Sequence, residues 1–304
     1  MDLIKDNPVF ISDDQIEKLI NCPIICYYHF KEQPDDNMSG CTTNVKFEND
    51  LKTLLSNEYT PISLQQIWSC IKKEMKWPKK PFCLIFFDGF ESNYTIAFDI
   101  LKRNNVHVDI FLSTDLMETS YYSTNPKFIP RLSWKQAKEM YDSGLVSIHG
   151  LWHESDEGKG MINQIAIKRS FIIKSKLGEN NFTAFFNSIE SSDSIKLLYN
   201  SGIDIQIIKY GNLKYENMLK GCLGYMSIDY KTDIYQEMDN INARKVIALN
   251  NLQNKFLEME ISSLKFLSDK DELDIAKKFY INKPKSIHHA GRYVCLYRLF
   301  TERT

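Results

Sequence analysis

Phe82-Cys83-Leu84-Ile85-Phe86-Phe87-Asp88-Gly89 is the stretch on which the fold turns. A strand with one face in water alternates apolar and polar residues. A run that is apolar throughout is covered on both faces and belongs to a parallel sheet or barrel flanked by helices. The run stops abruptly at Asp88-Gly89, and Ser92 is placed to cap a helix over 93–103.

The same alternation extends in both directions. Upstream, a short apolar run over 23–28 reads as the first strand. Phe47, Leu51, Leu54 and Leu55 form a helical stripe, and Ser63 caps a second amphipathic helix over 64–75. Downstream come a strand over 108–112 and a helix opened by Ser133-Trp134-Lys135-Gln136 and closed by Gly144. A strand over 146–148 then ends at His149. Helices over 162–177 and 193–200 alternate with strands over 182–186, 203–208 and 246–249. Repeated strand–helix alternation with short loops predicts a parallel α/β arrangement, either an open doubly wound sheet or a (β/α) barrel. Both carry their chemistry beyond the carboxyl ends of the strands, so the polar residues there are the ones to weigh.

Bulk properties narrow the function classes. The 304 residues carry a net charge of −1, with acidic and basic residues interleaved, which argues against a nucleic-acid partner. No apolar stretch approaches the roughly 18–20 residues of a membrane span. The first six residues show neither a basic region nor an apolar one, so the sequence as it stands reads as cytoplasmic; a preceding leader would make it extracellular or cell-surface. Seven irregularly spaced cysteines read as reduced thiols, with Cys22 and Cys26 as small buried residues rather than metal ligands.

Two strand ends stand out. Asp88 follows six apolar residues directly, and His149 lies four residues before His153. On a helical turn that spacing puts two imidazoles on one face, where they can share one ion. A carboxylate from a neighbouring strand would complete an Asp/His/His set with positions open for water and substrate, the layout of a hydrolytic metal site.

The segment from Cys83 to Tyr94 resembles the first motif of the polysaccharide deacetylases, carbohydrate esterase family 4, in which an apolar strand runs into Thr-Phe-Asp-Asp-Gly. His149 and His153 match the family's His-x-x-x-His, and Leu132-Ser133-Trp134-Lys135-Gln136 with Ser143-Gly144-Leu145-Val146 resembles the stretch before it. Pro23 to His29 and Tyr59 to Leu64 are similar to the branch acting on exopolysaccharide. The likeness spans about residues 22–210. It implies a distorted (β/α) barrel with fewer than eight regular units, here over 1–250 with its N-terminal flank, and a C-terminal extension over 251–304 packed on it. It also implies a divalent metal, Zn²⁺, on Asp88, His149 and His153, and an N-acetylated amino-sugar polymer as substrate.

The likeness breaks at three places. The family's catalytic base, the first aspartate of Asp-Asp, is Phe87 here; a general base is worth about 10²- to 10⁴-fold in rate. The third motif falls at Ala184-Phe185-Phe186-Asn187-Ser188 without its proline and glycine, leaving the Asn187 backbone N–H as the candidate oxyanion donor. The late histidine of the family is not found; His288 and His289 read as surface residues. Glu91 or Glu154 is the candidate substitute base. Phe87, Phe90 and Trp152 are the candidate substrate-contacting aromatics, Phe90 and Trp152 by stacking on a sugar. His29 is expected to order a strand end and His107, just before a strand, to be a surface or cap residue. Two functions therefore stand side by side: a weak metal-dependent deacetylase, or a carbohydrate-binding pseudoenzyme on the same barrel.

Overall fold

The computed structural model describes residues 18–19, 21–33, 40–122, 128–151, 162–178, 182–186, 198, 201–209 and 222–239. In chain order the strands are β1 (Ile24–Tyr27), β2 (His29–Lys31), β3 (Cys41–Thr43), β4 (Thr60–Pro61), β5 (Pro81–Phe87) and β6 (Val108–Leu112). They continue with β7 (Ser120–Tyr122), β8 (Phe128–Pro130), β9 (Val146–Leu151), β10 (Ala184–Phe186), β11 (Ile205–Lys209) and β12 (Cys222–Ser227).

Seven of these strands close a parallel barrel in the order β1-β12-β11-β10-β9-β6-β5, with β5 returning to β1. Closure is explicit at β1, where Ile25 pairs with Leu84 of β5 on one side and with Met226 of β12 on the other. A closed ring leaves no unpaired edge, which decides between the open sheet and the barrel that the alternation alone allowed. The strand expected over 246–249 lies outside the described residues. The ring is completed instead by β12, whose Cys-Leu-Gly-Tyr-Met-Ser carries no long apolar run to announce it.

The alternation along β5 explains why its run is apolar throughout. Cys83, Ile85 and Phe87 join the cluster that fills the barrel, with Ile24, Cys26, Phe111, Ala184, Ile205, Ile207, Leu223 and Tyr225. Phe82, Leu84 and Phe86 face the other way, into the layer between barrel and helices, against Phe47, Leu51, Leu54 and Leu101. Both faces are dry, as a parallel barrel requires.

The helices close the barrel from outside and below. Asn44–Ser56 starts at Thr43, whose side chain accepts from the Lys46 N–H. Leu64–Ile71 starts in a capping box in which Ser63 Oγ accepts from the Gln66 N–H and Gln66 Oε1 from the Ser63 N–H. Its Leu64, Ile67, Trp68 and Ile71 belong to the barrel-filling cluster, so this helix plugs the amino-terminal end. It ends at Ile71, short of the expected 75, and Lys73 is already left-handed at φ 62°. Ser133 and Gln136 form the same box before Trp134–Asp142, and Gly144 follows that helix at φ 74°. Ser92 does not cap: its Oγ accepts from the Phe30 N–H, and the chain enters Phe98–Asn104 through a π turn over Asn93–Ala97. The helix expected over 193–200 lies outside the described residues, apart from Leu198. Among the described residues no helix is long and apolar enough to cross a membrane.

Candidate active site at the carboxyl end of the barrel

Asp88 sits where β5 leaves the barrel, and its backbone is left-handed at φ 68°, followed by Gly89 at φ 60°. A residue with a Cβ gives up about 1–2 kcal/mol in that region, so the surroundings must hold it there. The Arg131 guanidinium donates to the Asp88 carbonyl oxygen. The Leu132 N–H donates to the Gly89 carbonyl at 2.9 Å, and the Glu91 N–H to that of Pro130 at 2.9 Å. A Cβ at Gly89 would lie 2.3 Å from Leu112 Cδ2, so any other residue would have to push that buried side chain aside.

His149 lies inside β9 and not after it. Strand pairing runs through Phe111–His149 and Leu112–Gly150 on one side and Phe185–Gly150 and Phe186–Leu151 on the other. The helical-turn geometry expected for the histidine pair therefore does not apply at His149. Gly150 permits the continuation, because a Cβ there would already touch the Phe185 ring and Arg169 Cβ at 3.3 Å. His149 points into the barrel, where its Nε2 lies 2.8 Å from Asp109 Oδ1. Strand register puts His149 level with Phe87 and Phe111, and Asp109 one inward tier below.

Asp109 gathers donors from four elements. Besides His149, its Oδ2 accepts from the Leu64 N–H at 3.0 Å, Cys83 Sγ is 3.7 Å away and His107 Nε2 3.8 Å. Burial opposes its ionisation, but the hydrogen bonds from His107 and His149 and their charges outweigh it and hold the carboxyl below the usual carboxylate range. A carboxylate only accepts, so Nε2 of His149 carries a hydrogen, and Nδ1 is the nitrogen left to face any other partner. Imidazoles that bind metals are commonly backed by a carboxylate in this way. A carboxylate at Asp88 and an imidazole so oriented are donors that suit a borderline divalent cation such as Zn²⁺. Among the described residues no group of three ligating side chains forms; His153 lies outside them.

Phe87 fills the position next to Asp88 on the inward face. Its ring meets Tyr225 at 4.8 Å, Phe111 at 5.4 Å and Tyr28 at 5.8 Å between centroids, all edge-on. The Tyr28 and Tyr225 hydroxyls lie 3.3 Å apart beside it. Burial pushes both phenols up, as it does the Cys26 thiol; the charge of Asp88 adds to the rise at Cys26 and Tyr28. The carboxyl end of the barrel is thus an aromatic plug with two neutral hydroxyls, and the Asp88 charge acts on inward-facing residues.

The remaining candidates separate. Glu91 Oε1 accepts from Gln136 Nε2 at 3.0 Å, which ties it to the capping box of Trp134–Asp142. Phe90 is 6% exposed and lies under the Arg131 guanidinium at 4.1 Å, with the His29 ring at 5.3 Å; it is packed rather than presented to a sugar. His107 is not a plain surface residue, since its Nε2 reaches Ser147 Oγ at 3.2 Å as well as Asp109. Trp152, Glu154, Asn187, His288 and His289 lie outside the described residues.

Asp109 and Arg131 were not among the expected site residues. Asp109 carried a readable signal, a charge in the middle of the apolar Val-Asp-Ile-Phe-Leu strand, which requires buried partners.

Residues 74–174 match the family model described as polysaccharide deacetylase. That stretch, about a third of the chain, is similar to the polysaccharide deacetylases and carries both Asp88 and His149. A search of curated proteins by sequence finds no match. Among solved structures, the fold is similar to that of a de-N-acetylase from Aggregatibacter actinomycetemcomitans at TM-score 0.59 and 18% identity, over 72% of this chain and 98% of that one. It is also similar to the Streptococcus pyogenes deacetylase PplD in complex with acetate, at TM-score 0.59 and 15% identity over 72% and 97%. IcaB from Ammonifex degensii follows at TM-score 0.54 and 15% identity over 74% and 96%.

Proposed function

We propose that this polysaccharide deacetylase barrel binds an N-acetylated amino-sugar polymer, of the exopolysaccharide class, and hydrolyses its N-acetyl groups slowly. Asp88, His149 and His153 would hold a divalent cation, Zn²⁺ by donor type. Bound there, such an ion polarises an amide carbonyl and makes water a usable nucleophile near neutral pH. The chain's own residues supply the rest. The Asp109 carboxylate keeps a hydrogen of His149 on Nε2, and the Tyr28 and Tyr225 hydroxyls, 3.3 Å apart on rings packed against Phe87, are neutral hydrogen-bond donors. Phe87 supplies no proton acceptor, so the step that removes the water's proton is left to solvent.

The observation that carries this reading is the adjacency of Asp88 and Phe87: the ligand position is kept while the base position beside it is apolar. The test is acetate release from N-acetylglucosamine oligomers by protein reconstituted with Zn²⁺. Slow release that is lost in His149→Ala supports it, and no release at stoichiometric metal overturns it.

A second reading is favoured by the packing of Phe87. Its contacts with Tyr28, Phe111 and Tyr225 are those of a settled core residue, which suits a carbohydrate-binding pseudoenzyme. Saccharide binding in calorimetry without any acetate release would select it.

A further inference from the structure

We propose that Arg131 is a positioning residue for Asp88: it holds the ligand-bearing turn in its left-handed form so that the carboxylate serves the mouth of the barrel. The inference rests on reading Asp88 as a cation ligand. It begins from strand parity. Phe87 faces inward, so a regular continuation of β5 would turn Asp88 outward, towards the helices. The chain leaves the extended conformation instead, with two successive residues at positive φ, Asp88 at 68° and Gly89 at 60°. The charge of Asp88 is then felt at Cys26 and Tyr28, on the neighbouring strand end.

The clamp that fixes this turn comes from 43 residues further along the chain. Arg131 is 4% exposed, pairs in an isolated antiparallel bridge with Phe90, and lays its guanidinium 4.1 Å from the Phe90 ring centre. From there Nη1 donates to the Asp88 carbonyl. The Leu132 and Glu91 backbone bonds on either side zip the same two segments together. A planar, permanently charged group that stacks and donates at once is a task lysine performs poorly, because its ammonium has no flat face and no fork of donors. A left-handed residue held by such a buried cation at a strand end is the kind of local strain that accumulates at functional sites.

The deciding experiment is a double-mutant cycle on the full-length protein, stripped of metal and titrated with Zn²⁺ by calorimetry, with thermal unfolding recorded for each variant. Asp88→Asn and Arg131→Met should each weaken Zn²⁺ binding at least tenfold, and the double variant should bind no more weakly than Asp88→Asn alone. Arg131→Lys should fall in between, at least threefold weaker than wild type. If Arg131→Met does not fold, Arg131→Lys decides, and wild-type affinity in it overturns the inference. Additive losses, or loss in Asp88→Asn with none in Arg131→Met, overturn the role of Arg131 while leaving the metal reading intact. A wild type that binds no Zn²⁺, or Asp88→Asn binding as tightly as wild type, overturns both.

Discussion

His149 reaches from β9 down to Asp109 on β6 and places Nε2 2.8 Å from its Oδ1, so the candidate ligand is also part of the barrel's buried polar core. The same carboxylate receives the first N–H of the helix that plugs the other end. One buried aspartate thus ties the candidate site to the floor of the barrel.

Removing that carboxylate strands a buried imidazole and a helix-start N–H together. Asp109→Ala is therefore expected to lose about 3–5 kcal/mol of stability at pH 7. The pH dependence has a definite sign. The folded-state pKa of Asp109 lies below its unfolded value, so its contribution is full above about pH 4 and is lost as the pH falls through the lower folded value. Urea unfolding between pH 7 and pH 2.5 should show the gap between wild type and Asp109→Ala narrowing below about pH 4. A gap of constant size would mean that the carboxyl is not held ionised.

Phe87→Asp separates the two functional readings. The new carboxylate would replace a ring packed on Tyr28, Phe111 and Tyr225, at a cost of about 3–5 kcal/mol, read as a lower Tm. If the base is all that has been lost, acetate release by the Zn²⁺-loaded variant should rise by about 10²-fold over wild type, the lower end of what a general base contributes. Phe87→Leu serves as the control and should stay near the wild-type rate. No gain in a folded Phe87→Asp would show that more than the base is missing.

Much of the barrel was readable because strand and helix periods differ and β5 is apolar on both faces. The helix starts at Ser63 and Ser133 were readable, and each proves to be a capping box closed by Gln66 or Gln136. What was not readable is set by pairing between distant segments. Nothing local distinguishes an open sheet from a ring closed by β12. His149 looked like a residue after a strand because Gly150 is a usual strand terminator, yet Gly150 is there to let Phe185 and Arg169 approach. Nothing local marks Arg131, and only the return of 130–132 onto the 88–91 turn gives it a buried carbonyl to serve.

Glu91 offers a direct check on the substitute-base idea. Its carboxylate is engaged by Gln136, in a helix start where a replacement costs about 1 kcal/mol or less. Glu91→Gln should leave acetate release within about twofold of wild type, measured under the same Zn²⁺ loading. A loss of about tenfold or more with an unchanged Tm would instead make Glu91 the group that removes the water's proton.

Gly89 and Gly144 share the left-handed backbone but not the space around it, which gives a paired stability test. At Gly144 nothing lies within 4 Å of an added Cβ, so Gly144→Ala pays only the conformational penalty of about 1 kcal/mol. At Gly89 the Cβ would fall 2.3 Å from Leu112 Cδ2, and overpacking adds about 1–3 kcal/mol to that penalty. Gly89→Ala should therefore be the more damaging change in urea unfolding by at least about 1 kcal/mol. Because the turn that must shift is the one carrying Asp88, it should also weaken Zn²⁺ binding, whereas Gly144→Ala should leave it unchanged. Equal stability losses, with Zn²⁺ affinity intact in both, would mean that the turn relaxes freely and that its left-handed form is not what presents the carboxylate.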